Sequence, residues 1–177
     1  MSETMGEHLD DAAGQDETGR GRLFLVSGAL AANTTAVGAA LARSFERAVA
    51  IDAAVFDHMV VAGRDPYRDP YREPPRAEQL RQLFLRWSAA IATAQTYQLE
   101  GFDAVISDTV LGDHLEDFLD LVSPETLHLV VLLPEQLDRR TPRWGLWVDS
   151  SEQTVDETVT TVLSRLEESV VATAASA

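Results

Sequence analysis

Apolar residues in this chain fall into short runs, and their spacing alternates between strand-like and helix-like. Arg22 to Ser27 reads as a first buried strand, followed by a small-residue loop over Gly28 to Asn33. From Thr34 to Arg47, Val37, Leu41 and Phe45 recur at four-residue spacing, which predicts an amphipathic helix. Ala48 to Ile51 is a short second strand that ends at Asp52. Val55, Phe56, Met59 and Val60 make a second helical face over Ala53 to Ala62, stopped by Gly63. Arg64 to Pro75 repeats Asp-Pro-Tyr-Arg and holds four prolines, so an extended, stiff loop is expected. A long helix is predicted from about Arg76 to Glu100, ending at Gly101. Phe102 to Ser107 is a third strand leading to Asp108, and Leu115 to Val122 a further helix. Leu127 to Leu133 is apolar without alternation, as a central parallel strand covered on both faces should be. Leu146 to Val148 reads as a last short strand, and Glu152 to Val171 as a closing helix.

Strands that alternate with helices imply an α/β fold with about five parallel strands. Ligands in such folds bind beyond the carboxyl ends of the strands, where Gly28, Asp52 and Asp108 all lie. A length of 177 residues suits one domain, expected over residues 21–171. Residues 1–20, polar and acidic, read as a disordered leader, and residues 172–177 as a frayed tail. No long apolar run suggests a membrane span.

Composition narrows the chemistry. The net charge of −15 argues against nucleic acid and against anionic membrane surfaces. The absence of cysteine excludes disulfides, thiolate metal sites and a cysteine nucleophile, and a cytoplasmic location is expected. No metal constellation with reliable spacing appears. All fourteen basic residues apart from histidine are arginine; there is no lysine.

That absence bears on the segment after the first strand. Strand, small-residue loop and helix are the layout of the phosphate-binding pattern G-x-x-x-x-G-K-[ST]. Gly28 fits the first glycine and Thr35 the final hydroxyl, but Asn33 stands at the second glycine and Thr34 at the lysine. With Ile51-Asp52, Gly101 to Gly112, Leu127 to Pro134 and Thr141 to Ser150, this order of elements resembles P-loop small-molecule kinases of the chloramphenicol phosphotransferase-like type. The resemblance spans roughly Arg22 to Leu166. It implies a P-loop NTPase-like three-layer sandwich. It also implies Asp52 as the base for a substrate hydroxyl, Asp108 as a Walker-B-like acid and Thr35 as a magnesium-side hydroxyl. Arg81, Arg86 and Trp87 would lie on the helix that lines the acceptor site. The chain departs from the family at Thr34 and Asn33, and also between Pro134 and Gly145, where about ten residues replace an arginine-bearing lid. Arg139, Arg140 and Arg143 stand as its relic.

Phosphoryl transfer depends on neutralising charge at the γ-phosphate. Loss of loop lysine and lid arginines would cost on the order of 10²–10⁴ in rate. The expectation is therefore a kinase scaffold that needs no cofactor and acts on a small organic molecule by acid–base chemistry such as cyclisation, isomerisation or elimination. Asp52 and Asp108 would be its catalytic carboxylates, or else caps of the elements that follow them. His58 is a third acid–base candidate. Backbone amides from Gly28 through Asn33 and Thr34 to Thr35 would form an anion site. Arg64, Arg81, Arg86 and Tyr67 are candidate substrate contacts, the Arg64 to Arg72 loop being either a lid or a solvated connector. His114, His128 and Trp87 read as structural. One competing reading is a phosphotransferase that keeps ATP or GTP with magnesium by borrowing an arginine. The other is a non-catalytic binding or regulatory pseudokinase. Apolar positions on the long helix would also allow a homodimer.

Overall fold

The computed structural model describes residues 19–29, 31–67, 74–133 and 141–172. The elements are β1 (Leu23–Gly28), α1 (Ala31–Arg43), β2 (Ala48–Asp52), α2 (Ala54–Met59), α3 (Ala77–Gln98) and β3 (Asp103–Ser107). They continue with α4 (His114–Val122), β4 (Leu127–Leu133), β5 (Leu146–Asp149), α5 (Val155–Ser164) and β6 (Val170–Val171). The sheet runs β2-β3-β1-β4-β5, all parallel, and β6 adds to β4 antiparallel. The expected α/β class with a five-stranded parallel sheet is what the chain forms.

Strand alternation divides the core into two layers. Leu23, Leu25, Ala104, Ile106, Leu127, Leu129 and Val131 face α3 and α4, meeting Leu83, Trp87, Ala90, Ile91, Leu115 and Phe118. Phe24, Val26, Val105, Val130 and Leu132 face the other way, onto Val37 and Leu41 of α1 and Val159 and Val162 of α5. β1, and Leu127 and Leu129 to Leu132 of β4, are buried on both faces, which explains why these strands are largely apolar without alternation.

The amino ends of the central strands are closed by a structural tie. Arg22 donates to Asp103 from its backbone N at 2.7 Å and from its guanidinium Nη2 at 2.6 Å, joining the starts of β1 and β3. The Arg22 guanidinium also lies over the Phe45 ring at 4.6 Å. α3 ends at Gln98, and the turn after it closes on Gly101, whose φ of 76° is the left-handed conformation that glycine adopts without strain.

Several predicted boundaries differ from the observed ones: α1 ends at Arg43 and not Arg47, α2 runs over Ala54–Met59 and not Ala53 to Ala62, and α5 begins at Val155 and not Glu152. α1 begins at Ala31, three residues before the expected start. Alanine is the strongest helix former, and no second glycine is present to hold the chain out of the helix. The expected closing helix ends at Ser164, and a 3₁₀ turn (Leu166–Ser169) leads into β6. β-branched Val170 and Val171 favour a strand, and His128 and Leu127 at the edge of β4 supply the partners. At its other end α5 starts at a capping box, in which Thr154 Oγ1 accepts from Glu157 N and Glu157 accepts from Thr154 N.

Candidate functional site

The phosphate-loop segment takes a different shape from the one its spacing suggested. β1 ends at Gly28 and α1 starts at Ala31, so Asn33, Thr34 and Thr35 lie inside the helix. Among the described residues no non-glycine has a positive φ, so Asn33 is not a glycine mimic in a left-handed bend. Its side-chain Nδ2 instead donates to Ser150 Oγ at 3.2 Å, tying α1 to the end of β5. Thr34, at the position of the pattern's lysine, is 1% exposed. A methyl group on Gly28 would stand 2.8 Å from Leu132 O and 3.1 Å from the Thr34 methyl, so helix and strands close tightly on one another there. The loop that would arch round a phosphate is spent on helix. The described residues at this end of β1 supply helical backbone, the Thr34 and Thr35 hydroxyls and no cation, where the phosphate-binding pattern has a lysine.

Asp52 and Asp108 end neighbouring strands, but strand alternation starts them on opposite faces of the sheet. Asp52 is in register with Ser107, and the Ser107 hydroxyl abuts Gly38 of α1. Asp108, one residue on, turns to α3. Asp52 is partly exposed, and its Oδ1 accepts from Ala54 N at 3.0 Å, starting α2. A capping bond therefore does not consume the whole Asp52 carboxylate.

Asp108 sits at the centre of a buried polar network that sequence reasoning did not assemble. The Trp87 indole N–H donates to Asp108 Oδ2 at 2.8 Å, and Thr109 N donates to Oδ1 at 2.8 Å. Arg86 Nη2 pairs with the same Oδ2 at 3.1 Å, while its Nη1 pairs with Asp57 Oδ2 at 3.0 Å. Arg86, Asp57 and Asp108 have side-chain exposures of only 11%, 14% and 7%, so the Arg86 charge is shared between two carboxylates in a dry setting. Burial pushes the Asp108 carboxyl above its ordinary range; Arg86, the Thr109 N–H and the Trp87 N–H pull against that, and the Asp57 carboxylate adds to it. Trp87 is fully buried, as expected of a core residue, yet it also holds the acid. The partner of Arg86 is 29 residues away, on α2, beyond the reach of helical or strand periodicity.

Aromatic rings continue this network outward. The His114 ring lies edge-on to Tyr67 at 5.8 Å and to Trp87 at 6.1 Å, and its Nδ1 is 3.1 Å from Asp117 Oδ2. His58 is exposed and its Nδ1–H donates to Ala54 O at 2.7 Å, turned back on its own helix. Arg81 is exposed and pairs with Glu78 at 3.5 Å, and Arg64 is exposed. Arg143 lies over the Trp147 ring at 4.5 Å, and Trp147 donates to Trp144 O at 2.9 Å. Arg68, Tyr71 and Arg72 of the proline-rich segment, Arg139 and Arg140 between β4 and β5, and most of residues 1–20 and 172–177 fall outside the described residues. Among the described residues no three metal-ligating side chains gather, and no helix is long and apolar enough to cross a membrane.

No family model matches the chain, and no curated protein matches its sequence. Solved structures share its fold. A gluconokinase from Sinorhizobium meliloti 1021 superposes with a TM-score of 0.56 at 14% identity, covering 82% of this chain and 91% of its own. The APS kinase of Mycobacterium tuberculosis gives 0.58 at 15% identity, over 84% of this chain and 98% of that one. A sugar kinase from Janibacter sp. HTCC2649 gives 0.55 at 11%, over 83% and 95%. Identities this low carry the architecture alone. The chain thus has the α/β fold of the P-loop kinases, with helices on both faces of a mostly parallel sheet.

Proposed function

We propose that this protein is a kinase-fold enzyme that has given up ATP-dependent phosphoryl transfer and acts on a small organic molecule by acid–base chemistry at the carboxyl ends of β2 and β3. The observation that carries this reading is Thr34, buried within α1 at the place of the loop lysine. A borrowed arginine would have to come from exposed Arg64 or from Arg68 and Arg72, which lie outside the described residues, since Arg86 is already paired with Asp57 and Asp108. A chain of net charge −15 adds no general attraction for a polyanion.

On this reading Asp52 is the general base, with one oxygen fixed by the Ala54 amide and its side chain partly exposed. Asp108 is a second carboxylate whose burial keeps its proton affinity high, and Arg86 and Trp87 hold its geometry. Titration of the purified protein with Mg·ATP and Mg·GTP by calorimetry tests the reading. No binding is expected, and micromolar affinity for either nucleotide would overturn it. With the true substrate in hand, Asp52→Asn should cut turnover by about 10²-fold or more; unchanged turnover would remove the base assignment.

A further inference from the structure

Arg86 is held from behind and covered in front by different kinds of contact. Behind it, Asp108 belongs to β3's end and is itself fixed by Trp87 and by the Thr109 amide, so that side is built into the body of the fold. In front, Asp57 comes from α2, a six-residue helix none of whose side chains is fully buried. Val55 and Met59 on α2 are 53% and 67% exposed, and Phe56 is the large apolar side chain of this helix that packs against the core. The Arg86 Nε–H is also buried without a hydrogen-bond acceptor among the described residues. The guanidinium therefore has unused donor capacity, and one of its two carboxylates sits on a short helix with half of its side chains exposed.

We propose that Arg86 is the recognition group for a small organic carboxylate with a flat apolar body, and that Asp57 occupies this site as an internal stand-in until the ligand displaces it. This rests on the proposed function, in which a small molecule is bound at the carboxyl ends of β2 and β3. A carboxylate replaces a carboxylate, so the charge balance with Arg86 and Asp108 is unchanged on exchange. A dianionic phosphate would add a charge beside Asp108 and is disfavoured. Tyr67 and His114, both partly exposed, extend outward from the buried Trp87 ring and offer aromatic surface for the ligand body. An internal competitor reduces apparent affinity by the fraction of time the site is open, so removing it strengthens binding without adding a contact.

The test uses the full chain, wild type against Asp57→Ala and the shape-conserving Asp57→Asn. Each is titrated with benzoate, benzamide and inorganic phosphate while the Trp87 indole N–H resonance is followed by NMR. The same spectra show that each variant is folded. Benzoate is expected to bind Asp57→Ala at least ten-fold more tightly than wild type and to shift the Trp87 resonance. Asp57→Asn should move in the same direction, with benzamide and phosphate weaker throughout. Equal benzoate affinity in all three proteins would overturn the stand-in. Benzamide or phosphate binding as tightly as benzoate would overturn the carboxylate assignment. Titrating the same samples with Mg·ATP separates the two ideas, because nucleotide binding sinks the proposed function whereas loss of the benzoate difference sinks only the stand-in.

Discussion

The two faces of the sheet treat their polar residues in opposite ways at the carboxyl ends of the strands. On the α1 side, Gly28 and Thr34 close helix onto strands with small groups, and the polar chemistry expected of a phosphate loop is replaced by packing. On the α3 side, Asp57, Arg86, Trp87 and Asp108 keep charge in a setting where charge is expensive. Buried ionic networks are weak evidence for stability, since apolar residues of the same volume often serve as well. Such a charged network on one face, opposite a face closed by small side chains and single polar contacts, makes the α3 side the one where ionic chemistry is concentrated.

The largest predicted effect breaks the polar side. Arg86→Ala leaves Asp57 and Asp108 without their shared counter-charge and should cost about 3–5 kcal/mol in urea unfolding. A loss under about 1 kcal/mol would mean that water already reaches the network.

The next effect separates the two faces by pH. His128, stacked on Phe24 at 4.5 Å on the α1 and α5 side, has its pKa lowered to about 4 by burial and by the nearby Arg22 charge, opposed by Asp103 and by its contact with Leu166. It is neutral in the fold and binds its proton more readily when unfolded. Its stabilising contribution is therefore complete above about pH 6.5 and is lost as pH falls toward 4, a change of about 3 kcal/mol. His128→Gln, which can keep a bond to Ser169, should flatten the stability profile across that window. Asp108 works in the opposite sense. Its raised pKa means that its contribution is full below the ordinary carboxylate value of 3.8 and declines as pH rises through its folded value.

A third variant tries to make the two faces alike. Thr34→Lys restores the pattern's lysine in name, but places an amine in a buried helical position. It should cost about 1–3 kcal/mol from overpacking alone and give no Mg·ATP binding by calorimetry. Recovered nucleotide binding would show that the helix yields easily to a loop, and would undo the contrast between the faces. The smallest effect is Trp87→Phe, which removes one N–H from Asp108 and should cost about 1–2 kcal/mol. A similar loss at pH 3.5 and pH 7 would argue that the Asp108 charge is unaffected by that bond.

The strands and α3 were legible because their apolar spacing reflects local geometry, as the largely apolar Leu127–Leu133 run and the turn at Gly101 show. The start of α1 was misplaced because the loop pattern was laid over Ala31 to Thr34 and outweighed their helix propensity. β6 was hidden because a two-residue strand has no period of its own; its identity depends on an open edge of β4. In the candidate site, Asp52 and Asp108 could be found as acids at strand ends, but strand parity, which sets them on opposite faces, needed the register. The Asp57–Arg86–Asp108 link could not be read at all, because three separate elements supply it.

β6 has a practical consequence for anyone shortening this chain. It covers the backbone of Leu127 and His128 ahead of the point where β5 takes over along β4. A version ending at Ser164 would leave those N–H and C=O groups open beside a strongly apolar strand, a template for another chain to add onto. Clumping in solution, more than loss of any contact within one molecule, would then limit how much usable protein such a truncation gives.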